Sequence, residues 1–386
     1  MAAYVTVCGV ITAPELVLAV LLFDVALAEW LVARTPLRHL GSALLVILIA
    51  AVQVNLELLP TASPTYSGVF AHGAPLAIFL LLLGVHLASV LRAGLPLVGL
   101  FVIGSLGTTL GIALGWWVAG GAEAFGQHAP ALAGMFVGTY TGGSVNFNAV
   151  ALQYEVASSG VEYVGATVVD NIATVLWMAA TLLLPRLFAR VWPIAAPSAE
   201  ALAAQGQDAM RDEESSTPLE LGVLLGLGLV AVWAGGWIQE RTGVPSMIAL
   251  TTLALALAQL PLLRRLRGAR ILGLLVVQLF LAVIGTLCDL SALGAVRELA
   301  GSLALMVLIG VSVHAALSLL GARLLRLDLH AVSIASQANI GGGTTAMALA
   351  RSFGRADLVL PAILIGSLGT ALGNYLGIAV AELLTP

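Results

Sequence analysis

The sequence is poor in charge: Asp, Glu, Lys and Arg together make up only 9% of its 386 residues. Soluble globular proteins carry about 25% charged residues, so this chain cannot build a water-exposed surface of the usual kind. Hydrophobic residues make up 60% of the chain, and its mean hydropathy is +1.05. These values exclude a soluble enzyme, a nucleic-acid-binding protein and a secreted disulfide-rich domain. They predict an all-α polytopic membrane protein.

Lysine is absent, so all 16 basic residues are arginines. The two cysteines, Cys8 and Cys288, each lie in apolar sequence, which is typical of small packed residues and not of a disulfide or metal pair. The sequence contains no His-Glu-x-x-His, no phosphate-binding loop and no Gly-x-Ser-x-Gly motif. We therefore expect neither an enzyme nor an ATP-driven pump, and no bound cofactor.

Twelve apolar stretches of about 20 residues are candidate membrane spans. The first six lie at about 14–33, 41–59, 72–92, 95–118, 129–151 and 162–187, and the second six at about 219–238, 244–262, 269–289, 300–322, 331–350 and 357–383. The polar segment 191–217 separates them and has the composition of a flexible linker. This order predicts an internal duplication, with one repeat in residues 1–190 and the other in 218–386.

The arginines predict how the repeats face the membrane, because cytoplasmic loops carry an excess of basic residues. If all twelve segments cross, the arginines divide seven inside and nine outside. If the fifth and eleventh segments are re-entrant hairpins, fourteen lie inside and two outside. Each half then crosses five times, so the second repeat is inverted relative to the first. The arginines indicate that each half crosses an odd number of times, but they do not identify which segment fails to cross. An alternative is therefore that the Gly-rich helices cross the membrane in an unwound form and another segment does not cross.

This topology also predicts the location of the protein. We expect a multi-pass protein of a prokaryotic inner membrane, with both termini outside and the 191–217 linker in the cytoplasm.

The fifth and eleventh segments share a Gly-rich polar motif. Residues 142–151 and 341–350 align at an offset of 199, with four of ten positions identical. Adjacent glycines weaken a helix, and non-helical backbone at membrane depth survives only inside protein or along a water-filled cavity. We expect non-helical backbone over 141–146 and 339–345, with close packing of small residues between helices as the alternative. The predicted breaks lie at Gly142, Gly143, Gly341, Gly342 and Gly343.

Polar side chains next to these breaks are the candidate solute-binding residues. Free backbone amides and neutral oxygens at a helix break can bind an ion or an anionic solute. The expected solute-binding residues are Thr141, Ser144, Asn146, Asn148, Asn339, Thr344 and Thr345.

Asp170 is the central carboxylate of the predicted site. It lies well inside the sixth segment, on one helix face with Thr167, Asn171 and Thr174. A carboxylate in a membrane span is costly and is therefore a functional candidate, with a structural, hydrogen-bonded carboxylate as the alternative. We predict a sodium ion or a proton at Asp170. The expected ion-binding residues are Asp170, Asn171, Thr174, Ser336 and Gln337. For Asp24, His86 and His314 the favoured interpretation is packing inside the bundle.

The motifs resemble a known family. Thr-Gly-Gly-Ser-Val-Asn-Phe at 141–147, Ser-Gln-Ala-Asn-Ile-Gly-Gly-Gly-Thr-Thr at 336–345 and Val169-Asp170-Asn171 resemble the bacterial membrane proteins of domain-of-unknown-function family 819. That family is similar to the cation:proton antiporter and anion transporter superfamily. The resemblance implies a panel (scaffold) domain, a core (transport) domain and a site where two discontinuous segments meet. It also implies that Asp170 and Asn171 take part in cation binding.

The leading functional hypothesis is a cation-coupled secondary transporter of a small anionic organic solute. Sodium is favoured over protons because most candidate ligands are neutral oxygens. A sodium/proton antiporter working through Asp170 is one alternative, and a non-transporting membrane scaffold or sensor subunit is another. The expected partners are the solute and membrane lipid, with a homodimer as the candidate assembly and no nucleic acid.

Overall fold

The computed structural model of the protein describes residues 11–39, 41–85, 90, 93–190, 192, 216–287 and 293–385. Within these ranges the chain forms helices and no strand. Most of the 191–217 linker lies outside the described residues, as do Cys8, His86 and Cys288.

Eight of the described helices are long and apolar enough to cross a membrane. They are α1 (Pro14–Arg34), α3 (Pro64–Leu82), α4 (Leu95–Val118), α7 (Val161–Phe188), α8 (Pro218–Thr242), α10 (Ala269–Thr286), α11 (Leu293–Leu324) and α14 (Ala356–Leu384). The helices α2 (Gly41–Asn55) and α9 (Ser246–Ala258) are apolar but shorter. The prediction of an all-α, multi-pass membrane protein is confirmed.

Two further segments each form a pair of short helices. The first pair is α5 (Ala129–Gly142) and α6 (Ser144–Gln153), and the second is α12 (Leu329–Ile340) and α13 (Gly342–Ser352). Together with the eight long and two shorter helices, these pairs account for the twelve segments read from the sequence. The prediction places the third segment too late in the chain, since the helix spans Pro64–Leu82 and not 72–92.

Helix ends follow local sequence signals. Thr217 and Glu220 form a capping box at the start of α8: the Glu220 N–H donates to Thr217 Oγ1 at 3.3 Å, and the Thr217 N–H donates to the Glu220 carboxylate at 2.8 Å. Asp328 caps α12 and accepts hydrogen bonds from the backbone N–H groups of His330 and Ala331. This cap sets the residue at which the second helix pair begins.

The helices pack in two groups. Helices α1, α2 and α3 pack with α8, α9 and α10, while α4 to α7 pack with α11 to α14. The groups contact each other through α9, which touches both α6 and α14, and also through α3 with α6 and α7 with α2 and α10. Each group therefore combines the first three, or the last three, segments of both predicted repeats.

Within the second group, α4 and α11 approach closely along a row of glycines. A Cβ atom added to Gly107 would lie 3.1 Å from the Cα of His314, and one added to Gly111 would lie 2.6 Å from the carbonyl oxygen of Gly310. Any larger residue would force the helices apart. Small residues allow this approach between membrane helices.

In each helix pair, the second helix folds back along the first. A Cβ atom on Gly138 of α5 would lie 3.3 Å from Asn146 of α6, eight residues later in the chain. In the second pair, Gln337 Nε2 donates to Thr345 Oγ1 at 3.2 Å, again across eight residues. Such contacts require a reversal of direction, since eight residues of continuous helix span about 12 Å. We call α5–α6 the first hairpin and α12–α13 the second hairpin.

Candidate functional site

The two hairpins meet at their tips. Gly143 and Gly342 have positive φ angles of 94° and 79°, a conformation that favours glycine. A Cβ atom on Gly143 would lie 3.9 Å from the Cα of Gly342. This contact brings together the carboxyl ends of α5 and α12 and the amino ends of α6 and α13. Partial negative and partial positive helix ends therefore lie side by side.

The prediction of long non-helical stretches at 141–146 and 339–345 is wrong. Gly142 is the last residue of α5, and α6 already begins at Ser144, with the Asn146 N–H donating to the Gly143 carbonyl at 3.0 Å. In the second hairpin, Ile340 ends α12 and Gly342 begins α13, with Gly343 inside that helix. One or two glycines suffice for the reversal because a residue with positive φ turns the chain without further unwinding.

Helix α14 packs against both hairpins through its own glycines. A Cβ atom on Gly377 would lie 2.6 Å from the carbonyl oxygen of Gly134, and one on Gly343 would lie 3.4 Å from the Cα of Gly366. Thr370 of α14 donates a hydrogen bond to the Gly142 carbonyl at 3.3 Å. The tips are therefore held in position by backbone contacts with a single helix.

Around the first tip, buried oxygens face no hydrogen-bond donor. Thr141 and Asn146 are fully buried, and Thr141 Oγ1 and Asn146 Oδ1 have no partner among the described residues. Asn146 Nδ2 makes a long contact of 3.5 Å with the Gly369 carbonyl. Asn148 lies deeper, where its Oδ1 accepts a hydrogen bond from the Tyr163 hydroxyl, whereas Ser144 is exposed.

The second tip has the same character. Asn339 is fully buried; its Nδ2 donates to Ser105 Oγ at 2.9 Å, while its Oδ1 has no partner in the described part of the chain. Thr345 Oγ1 donates to the Gly342 carbonyl at 3.0 Å. Thr344 is exposed at the amino end of α13, as Ser144 is at the amino end of α6.

Asp170 lies beside the first hairpin. Thr139 of α5 points its hydroxyl at Asp170 Oδ1 over 3.5 Å, a weak contact. Of its expected neighbours on α7, Asn171 donates its amide to the Thr167 carbonyl of the same helix at 2.9 Å, and Thr174 is half-buried. Tyr140 of α5 also turns its hydroxyl towards Asp170, so the carboxylate faces two hydroxyl groups of the first hairpin.

Ser336 and Gln337 contact α7 further along its length. Trp177 Nε1 donates to Ser336 Oγ at 3.0 Å, and Thr181 Oγ1 donates to Gln337 Oε1 at 3.1 Å. Trp177 and Thr181 lie about 10 and 16 Å along the helix axis from Asp170. The predicted ion-binding residues therefore divide between two places on α7, one at each hairpin.

His314 is a buried residue whose partners the sequence did not reveal. Its Nδ1 lies 2.9 Å from the Gly104 carbonyl, which can only accept, so Nδ1 carries a proton. Its Nε2 lies 2.8 Å from Ser336 Oγ. Nothing in the sequence near His314 identifies these partners, because Gly104 belongs to the other predicted repeat.

A comparison with known families settles the membership of the chain. The model of a family described as "Protein of unknown function (DUF819)" matches residues 16–386. The chain belongs to the DUF819 family. A relative in Bacillus subtilis (strain 168), "Uncharacterized membrane protein YjcL", is 32% identical over 353 residues, which cover 85% of this chain and 86% of the relative. The family resemblance drawn from the two Gly-rich motifs is thus confirmed, while the likeness to the wider transporter superfamily stays a prediction.

In this DUF819 protein a cavity of about 360 Å³ opens between the two helix groups. Its walls come from α3, α8, α10 and α14, and its polar lining includes Arg270, Ser367 and Thr370. Arg270 is exposed, whereas the Thr370 hydroxyl contacts the Gly142 carbonyl at the first tip. The cavity therefore has an exposed cation in one wall and, in another, a residue of α14 that contacts the first tip. The described residues hold no cluster of three or more His, Cys, Asp or Glu side chains that could bind a transition metal.

Proposed function

We propose that this protein is a cation-coupled secondary transporter of a small anionic organic solute, with sodium as the coupling ion. The observation that carries the proposal is the meeting of two hairpins at Gly143 and Gly342, with unpartnered buried oxygens on both sides of the contact. Buried polar atoms are normally hydrogen-bonded, so oxygens left free around a helix break are candidate ligands.

The proposal treats the two hairpins as re-entrant and the two repeats as inverted. Each half then has five crossing helices, in agreement with the division of the arginines. Helices α1 to α3 and α8 to α10 form the panel (scaffold) domain in this interpretation. Helices α4 to α7 and α11 to α14 form the core (transport) domain.

An anionic solute fits the amino ends of α6 and α13. Their first turns present unpaired backbone N–H groups and a partial positive charge. The exposed Ser144 and Thr344 hydroxyls stand at these two ends. Arg270 attracts anions into the cavity that Thr370 also lines, and Thr370 contacts the first tip.

The cation fits the oxygen-rich side of the same contact. Thr141 Oγ1, Asn146 Oδ1 and Asn339 Oδ1 are free acceptors, and the carboxyl ends of α5 and α12 add backbone carbonyls. These are hard neutral oxygens of the kind that a sodium ion takes. Asp170, which Thr139 of the first hairpin contacts, supplies a formal negative charge beside this hairpin.

The decisive experiment is Asp170→Asn. Asn keeps the size and polarity of the side chain, so the fold should survive, but a bound sodium ion loses its countercharge. That loss should cost a few kcal/mol, or roughly a hundredfold in sodium affinity. The measurement is the thermal unfolding midpoint of purified protein in sodium chloride against choline chloride. Glu240→Gln, which removes an exposed charge at the end of α8, is the matched control.

Three outcomes separate this proposal from others. Sodium stabilisation that is unchanged in Asp170→Asn would remove Asp170 from the site. An antiporter remains the second candidate, because Asp170 is a single carboxylate that a proton and a sodium ion could share. An antiporter would show sodium stabilisation that weakens as the pH falls and does not respond to a panel of mono- and dicarboxylates. A symporter would show stabilisation by a carboxylate that depends on sodium.

A further inference from the structure

A buried carboxylate, Asp24, lies in the helix group that does not contain the hairpins. Asp24 is the central residue of the 21-residue helix α1, about 15 Å along the axis from either end. Its side chain is only 3% exposed. A carboxylate at this depth in a membrane span is costly unless it is paired or neutral.

Asp24 has one hydrogen-bond partner among the described residues. Gln53 of α2 donates its Nε2 to Asp24 Oδ1 at 2.7 Å. The remaining oxygen of each group, Asp24 Oδ2 and Gln53 Oε1, is buried and has no partner in the described ranges. Both are acceptors when the acid is ionised, so neither can satisfy the other. Leaving each of them unpaired costs about 1–3 kcal/mol.

Among the residues that the structure describes, no cation faces Asp24 from the helices packed around it. Helix α2 has no charged residue, and the only charged residue of α10 is Arg270, which lies in the first turn of that helix. On α3, the Tyr66 hydroxyl donates to the Pro60 carbonyl and His72 lines a cavity against α8. The other charged residues of α1 are Glu15, Glu29 and Arg34, which lie towards its ends. The 3₁₀ turn that follows contains Arg38 and His39, whose side chains lie outside the described set.

We propose that Asp24 and Gln53 form a proton-binding site, with Asp24 held as a neutral carboxylic acid. A single proton on Asp24 Oδ2 donates to Gln53 Oε1, while Gln53 Nε2 donates to Asp24 Oδ1. The acid and the amide then form a ring of two hydrogen bonds. One bound proton therefore neutralises the charge of Asp24 and gives both unpaired oxygens a place in a hydrogen bond.

This site is independent of the proposed transport site. Asp24 belongs to the group of α1 to α3 and α8 to α10, whereas Asp170 and the hairpin tips belong to the other group. Titration of Asp24 therefore adds a pH dependence that does not pass through Asp170. It should persist in the Asp170→Asn variant, so failure of the transport proposal leaves this one standing.

Infrared difference spectroscopy of the purified protein tests the proposal directly. A neutral carboxylic acid has a C=O stretching band well separated from that of a carboxylate. The spectrum of wild type minus Asp24→Asn at neutral pH should contain one acid band. Glu29→Gln, which removes an exposed carboxylate from the same helix, should leave that band unchanged. Gln53→Met should shift the band, because the acid loses its amide partner.

Stability provides a second readout. Asn at position 24 presents an NH₂ donor to Gln53 Oε1 where the acid presents its O–H, so Asp24→Asn mimics the proton-loaded site. The folded wild type holds a proton that the unfolded chain releases at neutral pH, so its thermal midpoint should fall as the pH rises. The midpoint of Asp24→Asn should fall less over the same range.

Three results would overturn the proposal. The first is a difference spectrum in which Asp24→Asn removes a carboxylate band and no acid band. The second is an acid band that does not move in Gln53→Met, which keeps the test open if Asp24→Asn fails to fold. The third is a sodium-dependent stabilisation lost in Asp24→Asn and kept in Asp170→Asn, which would assign the two free oxygens to a metal cation.

Discussion

Replacement of Gly142 by alanine tests the central packing arrangement of the site. A Cβ atom on Gly142 would overlap the carbonyl carbon and oxygen of Gly369 on α14. Non-bonded atoms normally lie about 3.5 Å apart, so the first hairpin and α14 would have to separate by about 1 Å or more. The atoms in the way are backbone atoms, which no change of rotamer can remove.

The expected loss of stability follows from that overlap. Overpacking a core typically costs 1–3 kcal/mol when neighbouring side chains can adjust. Because only backbone can move here, we expect Gly142→Ala to lose about 3 kcal/mol. Gly222→Ala is the matched control: Gly222 lies in α8, and nothing lies within 4 Å of an added Cβ atom. In that exposed helix, alanine should gain about 0.5–1 kcal/mol.

The assay measures the thermal unfolding midpoint of purified protein, and size-exclusion chromatography with fluorescence detection monitors the unfolding. The expected order of midpoints is Gly142→Ala lowest, wild type next and Gly222→Ala equal to or above wild type. Solute and sodium stabilisation should be weaker in Gly142→Ala, since the tip is displaced. A midpoint for Gly142→Ala at or above that of wild type would refute the close approach of the first hairpin to α14.

Three further predictions concern single ionisable residues. Arg355 is 5% exposed and donates hydrogen bonds to Asp328, the residue that caps α12. Arg355→Gln should therefore lower the free energy of unfolding by about 3–5 kcal/mol. The control Arg326→Gln, at a helix end, should have little effect in the same unfolding assay. Arg270→Gln should reduce the rise in unfolding midpoint that anions cause, most clearly at low ionic strength. If anions raise the midpoint of the wild type equally at low and high salt, the charge of Arg270 has no role. His314→Phe should cost about 1–3 kcal/mol, because the buried polar partners of the imidazole lose their hydrogen bonds. An unchanged unfolding midpoint would show that these hydrogen bonds do not stabilise the protein.

The order of segments and the two helix reversals could be predicted from the sequence. Long apolar stretches are read directly from hydropathy, and adjacent glycines identify Gly142–Gly143 and Gly341–Gly343 as the weak points of two helices. The prediction overestimated the length of the reversals. Ser, Thr and Asn next to the glycines weaken a helix in isolation, yet the packing of each hairpin against α14 keeps them helical.

The partners of the polar residues could not be predicted. The sequence places Asp170, Ser336 and Gln337 in plausible segments, but a spacing along the chain does not say how two helices are offset in space. The structure places Thr139 beside Asp170, and Ser336 beside Trp177, about 10 Å further along α7. His314 shows the same limit, because its contacts arise only when α4 and α11 pack together.

The contacts of α14 with both hairpins have a mechanical consequence. Gly366 touches the second hairpin while Gly369 and Gly377 touch the first, and each contact joins backbone to backbone. Peptide groups in van der Waals contact cannot slide past one another by changing rotamers, so α14 and the two hairpins form one stiff body. In the proposed transporter, a change of access from one face of the membrane to the other therefore has to move this whole body relative to the other helix group. A disulfide between α14 and either hairpin should then leave the proposed transport unchanged, whereas one between α9 and α14, which belong to different groups, should stop it.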